Sequence, residues 1–502
     1  MGERSPSRRE VLRWSALALG AGAAGVTGCA DDGTGSASHA ATTVRSTTTV
    51  EPPRAHVSAK WWLNGNFAPV TAEVESTELS VVHGALPMEL SGLYVRNGSN
   101  PATGDSTHWF FGDGMVHGVH LADGKATSYR NRYVRTPLYD AKATFGSGPP
   151  GGATNQSNVS VVHHAGRLIS SGEVGLPFEL RPDDLSTVGV LDFGGQLTSS
   201  FTAHPKIDPV TGLMHSFGYG FLPPYLTYHV TDTDGTMIHT EIVDVAGPTM
   251  IHDFAITERD AVFWELPVVF DLANATKWLS DPNSGAQPFV WKPDRGARIG
   301  IMPLGGPAQS ITWHEIDPCY VFHGVNAYRD GDHVVLDVCR LSSMFDPAAP
   351  AGSFAGELSL RRWTVDTVSG RVTDDVVETH DPGELPSRDP RLVGRKHRYG
   401  YLVQSSQPTA SVSFGGLIKH DYAHDRREKW IPHPAEHAGE WLFVPVGQGE
   451  DHGYLMSYLY DDRTDRSQLV VVDATDVAAG PVARVQLPQR VPYGFHATWV
   501  PA

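Results

Sequence analysis

Closely spaced turn signals constrain this 502-residue chain more than any other feature of its sequence. From about residue 61 onward, short segments rich in Val, Ile, Tyr, Phe and Thr alternate with turn residues, and no long segment keeps a helical period. The turns include Ala122–Gly124, Asp208–Gly212, Thr233–Gly235, Asp330–Gly331 and Asp366–Gly370. Strands joined by tight turns without intervening helices argue against a parallel βαβ sheet. They predict an all-β fold, which would be a sandwich, a barrel or a propeller.

The length of this region narrows the choice. About 440 residues without an internal linker are too many for one sandwich, whereas seven four-stranded blades of roughly sixty residues each would fit. No repeat is visible in the sequence. Two sandwiches therefore stay open at this point as the alternative to a propeller.

The N-terminal residues carry targeting signals. Ser7–Arg13, with Arg8 and Arg9, resembles a twin-arginine export signal, and the following apolar run, Trp14–Val26, has 13 residues where about 20 are needed to span a bilayer. Val26–Cys29 resembles a bacterial lipobox. We predict a twin-arginine lipoprotein signal peptide at 1–28, lipidation at Cys29, and an extracytoplasmic cell-envelope protein anchored to the membrane by lipid. The alternative is an ordinary signal peptide with an incidental cysteine.

A Ser/Thr-rich stretch follows the signal. Nine of the eighteen positions from Gly33 to Val50 are Ser or Thr, a composition that cannot bury enough apolar surface to order itself. We therefore predict a disordered tether at 29–58 and a single β-propeller domain at 59–502.

Charge and cysteine content limit the partners and the metal chemistry. A net charge of −17 argues against a nucleic-acid partner. With 24 His and only three Cys, a metal is better served by imidazole than by thiolate. The hairpin that turns at Asp330–Gly331 should place Cys339 nearer Phe322 than Cys319. We expect two free buried cysteines, although export would permit a disulfide.

Four histidines stand beside apolar, strand-like stretches. They lie 48, 71 and 173 residues apart, so no local motif joins them, and a shared metal requires a closed fold that brings distant strands to a common axis. The alternative for each is a hydrogen-bonded core residue. The four are His204 in FTAHPKID, His252 in MIHDFAIT, His323 in YVFHGVNAY and His496 in YGFHATWV.

Together with these segments, LSGLYVRNGSNP (90–101) and HWFFGDGMVHG (108–118) resemble the carotenoid cleavage oxygenases, a family that includes stilbene-cleaving dioxygenases and the retinal pigment epithelium isomerase. The similarity runs from about Asn64 to the last residues, with the motifs in family order. It implies a seven-bladed propeller with Fe(II) on its central axis, bound by His204, His252, His323 and His496.

The resemblance also implies three carboxylates that hold the ligating imidazoles: Glu173 for His252, Glu384 for His323 and Glu440 for His496. A metal-bound imidazole usually donates its other ring N–H to such a group. The alternative for each Glu is a solvated surface carboxylate. No catalytic residue is expected beyond the metal centre.

The function implied by the resemblance is that of a non-haem Fe(II) dioxygenase, an oxidoreductase that incorporates molecular oxygen. It would cleave a carbon–carbon double bond of a carotenoid or apocarotenoid to two carbonyl products. The partners would be dioxygen and an apolar polyene or other alkene.

A stilbene- or phenylpropanoid-cleaving dioxygenase of the same family is the alternative. Stilbene-cleaving relatives carry a Tyr shortly after a VRT segment and a Lys directly before the first of the three Glu. Here Tyr139 follows Val134–Thr136, but Gly172 precedes Glu173. This departure favours an apolar polyene over a phenol.

Two other classes use the same residues differently. A non-catalytic ligand-binding propeller would keep the histidines for structure and bind no stoichiometric metal. A zinc hydrolase would hold zinc on the same imidazoles, but no general-base motif accompanies them.

Overall fold

The computed structural model describes Ser58 and residues 60–143, 152–281, 284, 286–345, 356–405 and 414–502. The predicted signal peptide at 1–28, Cys29 and nearly all of the predicted tether lie outside the described residues. Within the described part, no helix is both long enough and apolar enough to cross a membrane.

Strands dominate the described residues. Strands β1–β5 are Glu75–Ser76, Ser80–Gly84, Gly92–Ser99, Gly114–Ala122 and Lys125–Tyr133. Strands β6–β13 are Ser160–His164, Arg167–Ser171, Phe178–Leu180, Thr187–Val190, Lys206–Ile207, Met214–Tyr219, Leu226–Thr231 and Met237–Ile242. Strands β14–β23 are Ala255–Ile256, Asp260–Glu265, Val268–Phe270, Phe289–Trp291, Ala297–Pro303, Thr312–Ile316, Tyr320–Asp330, His333–Leu341, Leu358–Asp366 and Val372–Glu378. Strands β24–β33 are Gly383–Ser387, Tyr399–Ser405, Phe414–Asp421, Arg426–Trp430, Glu436–His437, Leu442–Pro445, Gly453–Asp461, Arg466–Asp473, Pro481–Gln486 and Ala497–Pro501.

Helical structure is short wherever the chain is described. The α-helices are α1, Pro137–Asp140, and α2, Leu272–Ser280. Single 3₁₀ turns occupy Trp61–Leu63, Gly65–Phe67, Trp109–Phe111, Pro293–Arg295, Ala308–Ser310, Pro390–Leu392 and Val477–Ala479.

The strands form seven antiparallel blades, which confirms the predicted seven-bladed propeller and excludes the two sandwiches. Blade 1 has the order β1-β5-β4-β3-β33, and blades 2 and 3 are β6–β9 and β10–β13. Blade 4 is β14-β15-β18-β19, from which the β16–β17 hairpin projects, and blades 5 and 6 are β20–β23 and β24–β27. Blade 7 is β2-β32-β31-β30-β28, with β29 also paired to β30. All five turns singled out in the sequence connect neighbouring strands of a blade.

Strands from the two ends of the described chain close the ring. The C-terminal strand β33 pairs with β3 in blade 1, and the early strand β2 pairs with β32 in blade 7. Each blade buries an apolar face against the next; Tyr94 of blade 1, for example, meets Tyr458 of blade 7 with ring centroids 5.0 Å apart. This mutual covering removes the open faces that isolated four-stranded sheets would expose.

Strands β20 and β21 form the predicted hairpin beside the two cysteines. Asp330 pairs with His333 across the turn, and the register places Cys339 opposite the Phe322–His323 region, as predicted. Cys319 and Cys339 are both free and buried.

Candidate metal centre

The four predicted histidines converge at one place in the propeller. Their ligand atoms all lie within 4.8 Å of one another, and Nε2 of His204 is 3.0 Å from Nε2 of His252. The His204 ring centroid lies 4.4 Å from that of His496 and 5.0 Å from that of His323. No second group of His, Cys, Asp or Glu with metal-binding spacing occurs in the part of the chain that the structure describes.

Each histidine lies in or just before the innermost strand of its blade at the centre of the ring. His204 precedes β10, His252 precedes β14, and His496 precedes β33. These central strands pack against those of neighbouring blades: β14 contacts β20, and β20 contacts β24. Residues far apart in the sequence are therefore brought side by side.

His323 is directed inward by an irregularity of its strand. The pairing of β20 with β21 shifts between Val321 and Gly324 and again between Gly324 and Asn326. A β-bulge of this kind changes the side to which a side chain points without ending the strand. The imidazole can therefore leave the alternating pattern of the sheet and face the other three rings.

Three carboxylates lie behind three of the imidazoles, in the pairing that the family resemblance implied. Each contact joins a histidine Nδ1 to a carboxylate oxygen. The distances are 3.1 Å for His252–Glu173, 2.6 Å for His323–Glu384 and 2.8 Å for His496–Glu440. Because the carboxylate accepts the Nδ1 proton, the lone pair of each Nε2 is left for the common centre.

The carboxylates are themselves held in place. The Tyr219 hydroxyl donates to Glu173 Oε1 at 2.9 Å, and the Ala497 amide donates to Glu440 Oε2 at 2.6 Å. The Leu385 amide donates to Glu384. Glu173 adopts a left-handed backbone with φ 71°, which a non-glycine residue keeps only when its surroundings impose it.

All seven blades contribute to this arrangement. The histidines belong to blades 3, 4, 5 and 1 in chain order, and the glutamates to blades 2, 6 and 7. Each blade contributes one of the seven residues, so their spacing in the sequence follows the lengths of the blades and not a local motif.

The residues fit a divalent cation. Nε2 of His323 is buried and has no hydrogen-bond partner among the described residues. An unsatisfied buried nitrogen is costly unless something binds it. With bonds of about 2.1 Å, nitrogens on opposite sides of an ion would be about 4 Å apart, which agrees with the compact cluster. Four neutral imidazoles suit ferrous iron and leave its charge intact.

Burial keeps two of the imidazoles, those of His204 and His323, in the neutral form that binds a cation. Desolvation, together with the neighbouring rings, lowers the pKa of His204 and of His323 well below the ordinary value. Burial also lowers the pKa of His252, but the carboxylates of Glu173, Asp253 and Glu384 together outweigh it and raise that pKa overall. A proton therefore competes with a cation better at His252 than at His204 or His323.

One ion pair beside the histidines was not anticipated from the sequence. Lys206 Nζ lies 2.6 Å from Asp253 Oδ1, and the Asp253 side chain is only 2% exposed. The two residues are neighbours of His204 and His252 in the chain. Charged residues inside otherwise apolar segments were the available signal.

The two positions that bear on a phenolic substrate are now defined. The Tyr139 hydroxyl is hydrogen-bonded to Arg135, whose guanidinium pairs with Glu73 at 2.8 Å in an exposed network. A Cβ at Gly172 would lie 2.9 Å from the backbone nitrogen of Ser157, so no side chain fits there unless the backbone moves. The lysine expected beside a phenol is therefore absent and has no room at position 172, whereas Tyr139 is present with its oxygen accepting a hydrogen bond from Arg135.

Comparison with known proteins agrees with this geometry. The sequence model of the family described as retinal pigment epithelial membrane protein matches residues 67–501. A carotenoid cleavage oxygenase of Mycobacterium tuberculosis is 37% identical, with 88% of this chain and 97% of the relative covered. The carotenoid 9,10(9',10')-cleavage dioxygenase 1 of Arabidopsis thaliana is 35% identical, with 88% and 89% covered.

Solved structures give the same result. The lignostilbene dioxygenase of Pseudomonas brassicacearum superposes with a TM-score of 0.80 at 29% identity, covering 88% of this chain and 98% of that one. The cobalt-substituted Synechocystis apocarotenoid oxygenase gives a TM-score of 0.75 at 26% identity, with 86% and 97% covered.

Proposed function

The chain belongs to the carotenoid cleavage oxygenase family, and on that premise we propose that it is an Fe(II)-dependent dioxygenase that cleaves a carbon–carbon double bond of a carotenoid or apocarotenoid. The products would be two carbonyl compounds. The observation that carries the proposal is the convergence of four imidazoles within 4.8 Å, three of them held by carboxylates.

The chain's own residues would bind the metal, orient its ligands and keep water out. The four imidazoles would hold the metal, and the glutamates fix the tautomer and direction of three rings. Ferrous iron, when bound, supplies the binding and activation of dioxygen. Four imidazole ligands would not saturate ferrous iron, so dioxygen could bind there as well.

Aromatic rings pack beside the histidines. The Phe322 ring lies 5.1 Å from His252, and Phe495, which precedes His496, lies 5.9 Å from Phe110. Apolar rings at this position would keep water from the metal and would give an apolar polyene favourable contacts. No protein nucleophile is required for this chemistry.

Gly172 and Tyr139 are the two positions that bear on the substrate class. The backbone of Ser157 closes the space that a lysine at position 172 would need, and the Tyr139 hydroxyl is engaged by Arg135. The lack of room for a lysine at position 172 favours a polyene without a phenol. A stilbene-cleaving dioxygenase is the second candidate, because the superposition on the lignostilbene dioxygenase has a TM-score of 0.80.

Metal analysis combined with dioxygen uptake tests the proposal. Purified protein would be analysed for metals and offered carotenoids, apocarotenoids of graded length and hydroxylated stilbenes. We expect one iron per chain, uptake of one dioxygen per polyene cleaved, and two carbonyl products. A His204→Ala variant is the control for background oxidation. Iron-free protein that consumes no dioxygen with any alkene would refute the proposal, and turnover of stilbenes alone would favour the second candidate.

We also propose that the protein is exported by the twin-arginine route and held at the cell envelope through lipid on Cys29. The support is the Arg8-Arg9 signal and the lipobox in the sequence. Membrane fractionation of wild type and Cys29→Ala tests this location. Equal amounts of both forms in the membrane fraction would contradict the anchor.

A further inference from the structure

A single buried carboxylate contacts the chain segments that carry three of the four histidines. Asp253 directly follows His252, and its Oδ1 accepts a hydrogen bond from Lys206 Nζ at 2.6 Å. Lys206 lies two residues after His204. The side chains of Lys206 and Asp253 are 11% and 2% exposed, so the pair is shielded from water.

The second oxygen of the same carboxylate reaches the third segment. Asp253 Oδ2 accepts the amide of Gly324 at 2.9 Å, and Gly324 directly follows His323 in the bulge of β20. Oδ1 also accepts the amide of Phe254 at 2.8 Å, which fixes the carboxylate against its own backbone. Blades 3, 4 and 5 are thus joined at the level of the imidazoles.

The link through Asp253 matters most for His204. His252, His323 and His496 each face a carboxylate, whereas no carboxylate contacts the His204 ring among the described residues. Its backbone amide is held by the Thr202 hydroxyl at 2.9 Å, on the N-terminal side. On the C-terminal side, the Lys206–Asp253 pair connects the His204 segment to the rest of the site.

We propose that Lys206 and Asp253 are positioning residues that set the separation of His204, His252 and His323 for metal binding, an inference that rests on the proposed metal site. Neither residue needs to touch the metal or the substrate. Asp253 fixes the His252 and His323 segments through its two oxygens, and Lys206 draws the His204 segment to the same carboxylate.

The consequence is measurable as metal affinity. Removing one partner leaves the other as an unpaired buried charge, and the segments move to relieve it. Loss of outer groups that orient metal ligands typically lowers affinity by ~10–100-fold. We expect losses in this range for Asp253→Asn and for Lys206→Met.

The chain offers a matched control between blades 4 and 5. Asp260 of β15 and Arg329 of β20 form a cross-blade ion pair, with oxygen–nitrogen distances of 2.7 and 2.8 Å and side chains 7% and 18% exposed. Arg329 lies six residues after His323 along the extended strand β20, and Asp260 lies eight residues after His252. Asp260→Asn should lower the unfolding temperature without changing metal affinity.

The experiment uses Co²⁺ as the probe and the full chain. Dissociation constants would be measured by competition with a chelator, along with the visible Co²⁺ absorption and the unfolding temperature with and without metal. The expected result is ~10–100-fold weaker binding and an altered absorption spectrum in Asp253→Asn and Lys206→Met, with Asp260→Asn within twofold of wild type.

Other outcomes overturn the inference. It fails if both site variants bind Co²⁺ within twofold of wild type, or if Asp260→Asn weakens binding as much as they do. If Asp253→Asn does not fold, Lys206→Met decides alone. Wild type that binds neither Co²⁺ nor Fe²⁺ would instead refute the metal site itself, so failure of the proposed function can be told apart from failure of the positioning role.

Discussion

At the scale of single residues, the histidine cluster depends on which atom of each ring is already engaged. For His252, His323 and His496 a carboxylate occupies Nδ1, so Nε2 alone is left to face the centre. Without a partner, an imidazole can present either nitrogen and can rotate. We therefore expect the three glutamates to influence metal affinity by orienting the imidazoles, without touching the metal.

Glu384 is the residue at which this role is tested most directly. We predict that Glu384→Ala lowers iron affinity or activity by ~10–100-fold, because His323 loses the acceptor 2.6 Å from its Nδ1. Iron content after dialysis and dioxygen uptake are the measurements. Glu450→Ala is the control, since that carboxylate accepts the amides of Arg398 and Tyr399 instead of an imidazole. Full iron occupancy with unchanged turnover in Glu384→Ala would contradict the assignment.

At the scale of elements, irregularities in two strands place a histidine and its carboxylate partner. The bulge of β20 turns His323 inward. The pairing of β24 with β25 also shifts, between Glu384 and Ser387, directly after the carboxylate that contacts His323. Regular alternation would send neighbouring side chains to opposite faces of the blade. Two irregularities in adjacent blades therefore place one His–Glu pair.

Closure of the propeller ring depends on the pairing of β2 with β32, and a substitution at Gly84 tests it. Gly84 ends β2 with φ +62°, and a Cβ there would lie 1.9 Å from the carbonyl oxygen of Val482, in β32. We predict that Gly84→Ala lowers the free energy of unfolding by about 3 kcal/mol or more, measured by urea denaturation, because a backbone clash adds to the strain.

A second glycine separates the clash from the strain. Gly331, in the β20–β21 turn, has φ +61°, and a Cβ added there would meet no atom within 4 Å among the described residues. Gly331→Ala should therefore cost only the strain, about 1–2 kcal/mol. Equal losses in the two variants would show that the close approach of Gly84 to Val482 adds nothing beyond the backbone strain.

At the scale of the whole molecule, folding traps several histidines away from water. His215 in β11 and His229 in β12 are almost fully buried, and burial lowers the pKa of each to about 4. The unfolded chain takes up protons near the ordinary histidine pKa of about 6.5, whereas the folded protein resists them until about pH 4. Stability is therefore full above about pH 6.5 and is lost as the pH falls from there to about 4.

We predict that the free energy of unfolding decreases across this pH window, by roughly 3 kcal/mol for each such histidine at about pH 4. Urea denaturation between about pH 7 and about pH 4.5 measures the slope. His229→Gln should be less stable at neutral pH but flatter with pH, whereas His333→Gln, at an exposed position, should keep the wild-type slope. An unchanged slope in His229→Gln would rule out its part in acid sensitivity.

Much of the fold was predictable because its signals are local. Asp123 and Gly124, with φ of 51° and 67°, form the turn between β4 and β5 at the place the sequence indicated. Turn chemistry of this kind involves only a few neighbouring residues. The length of the β region, together with the family motifs, then led to the seven blades. The nine-residue helix α2 and the β16–β17 hairpin were not predicted, since both are short insertions within blade 4.

By itself, the sequence determined where the strands turn, that the fold is all-β, and which His and Glu were candidates for one centre. Only the tertiary structure decided that four rings 48, 71 and 173 residues apart in sequence meet, that Asp253 joins three of their segments, and that position 172 has no room for a side chain. The physical reason is that a turn is fixed by the conformational preferences of adjacent residues. A shared centre and a filled space are fixed instead by how seven blades close on one another.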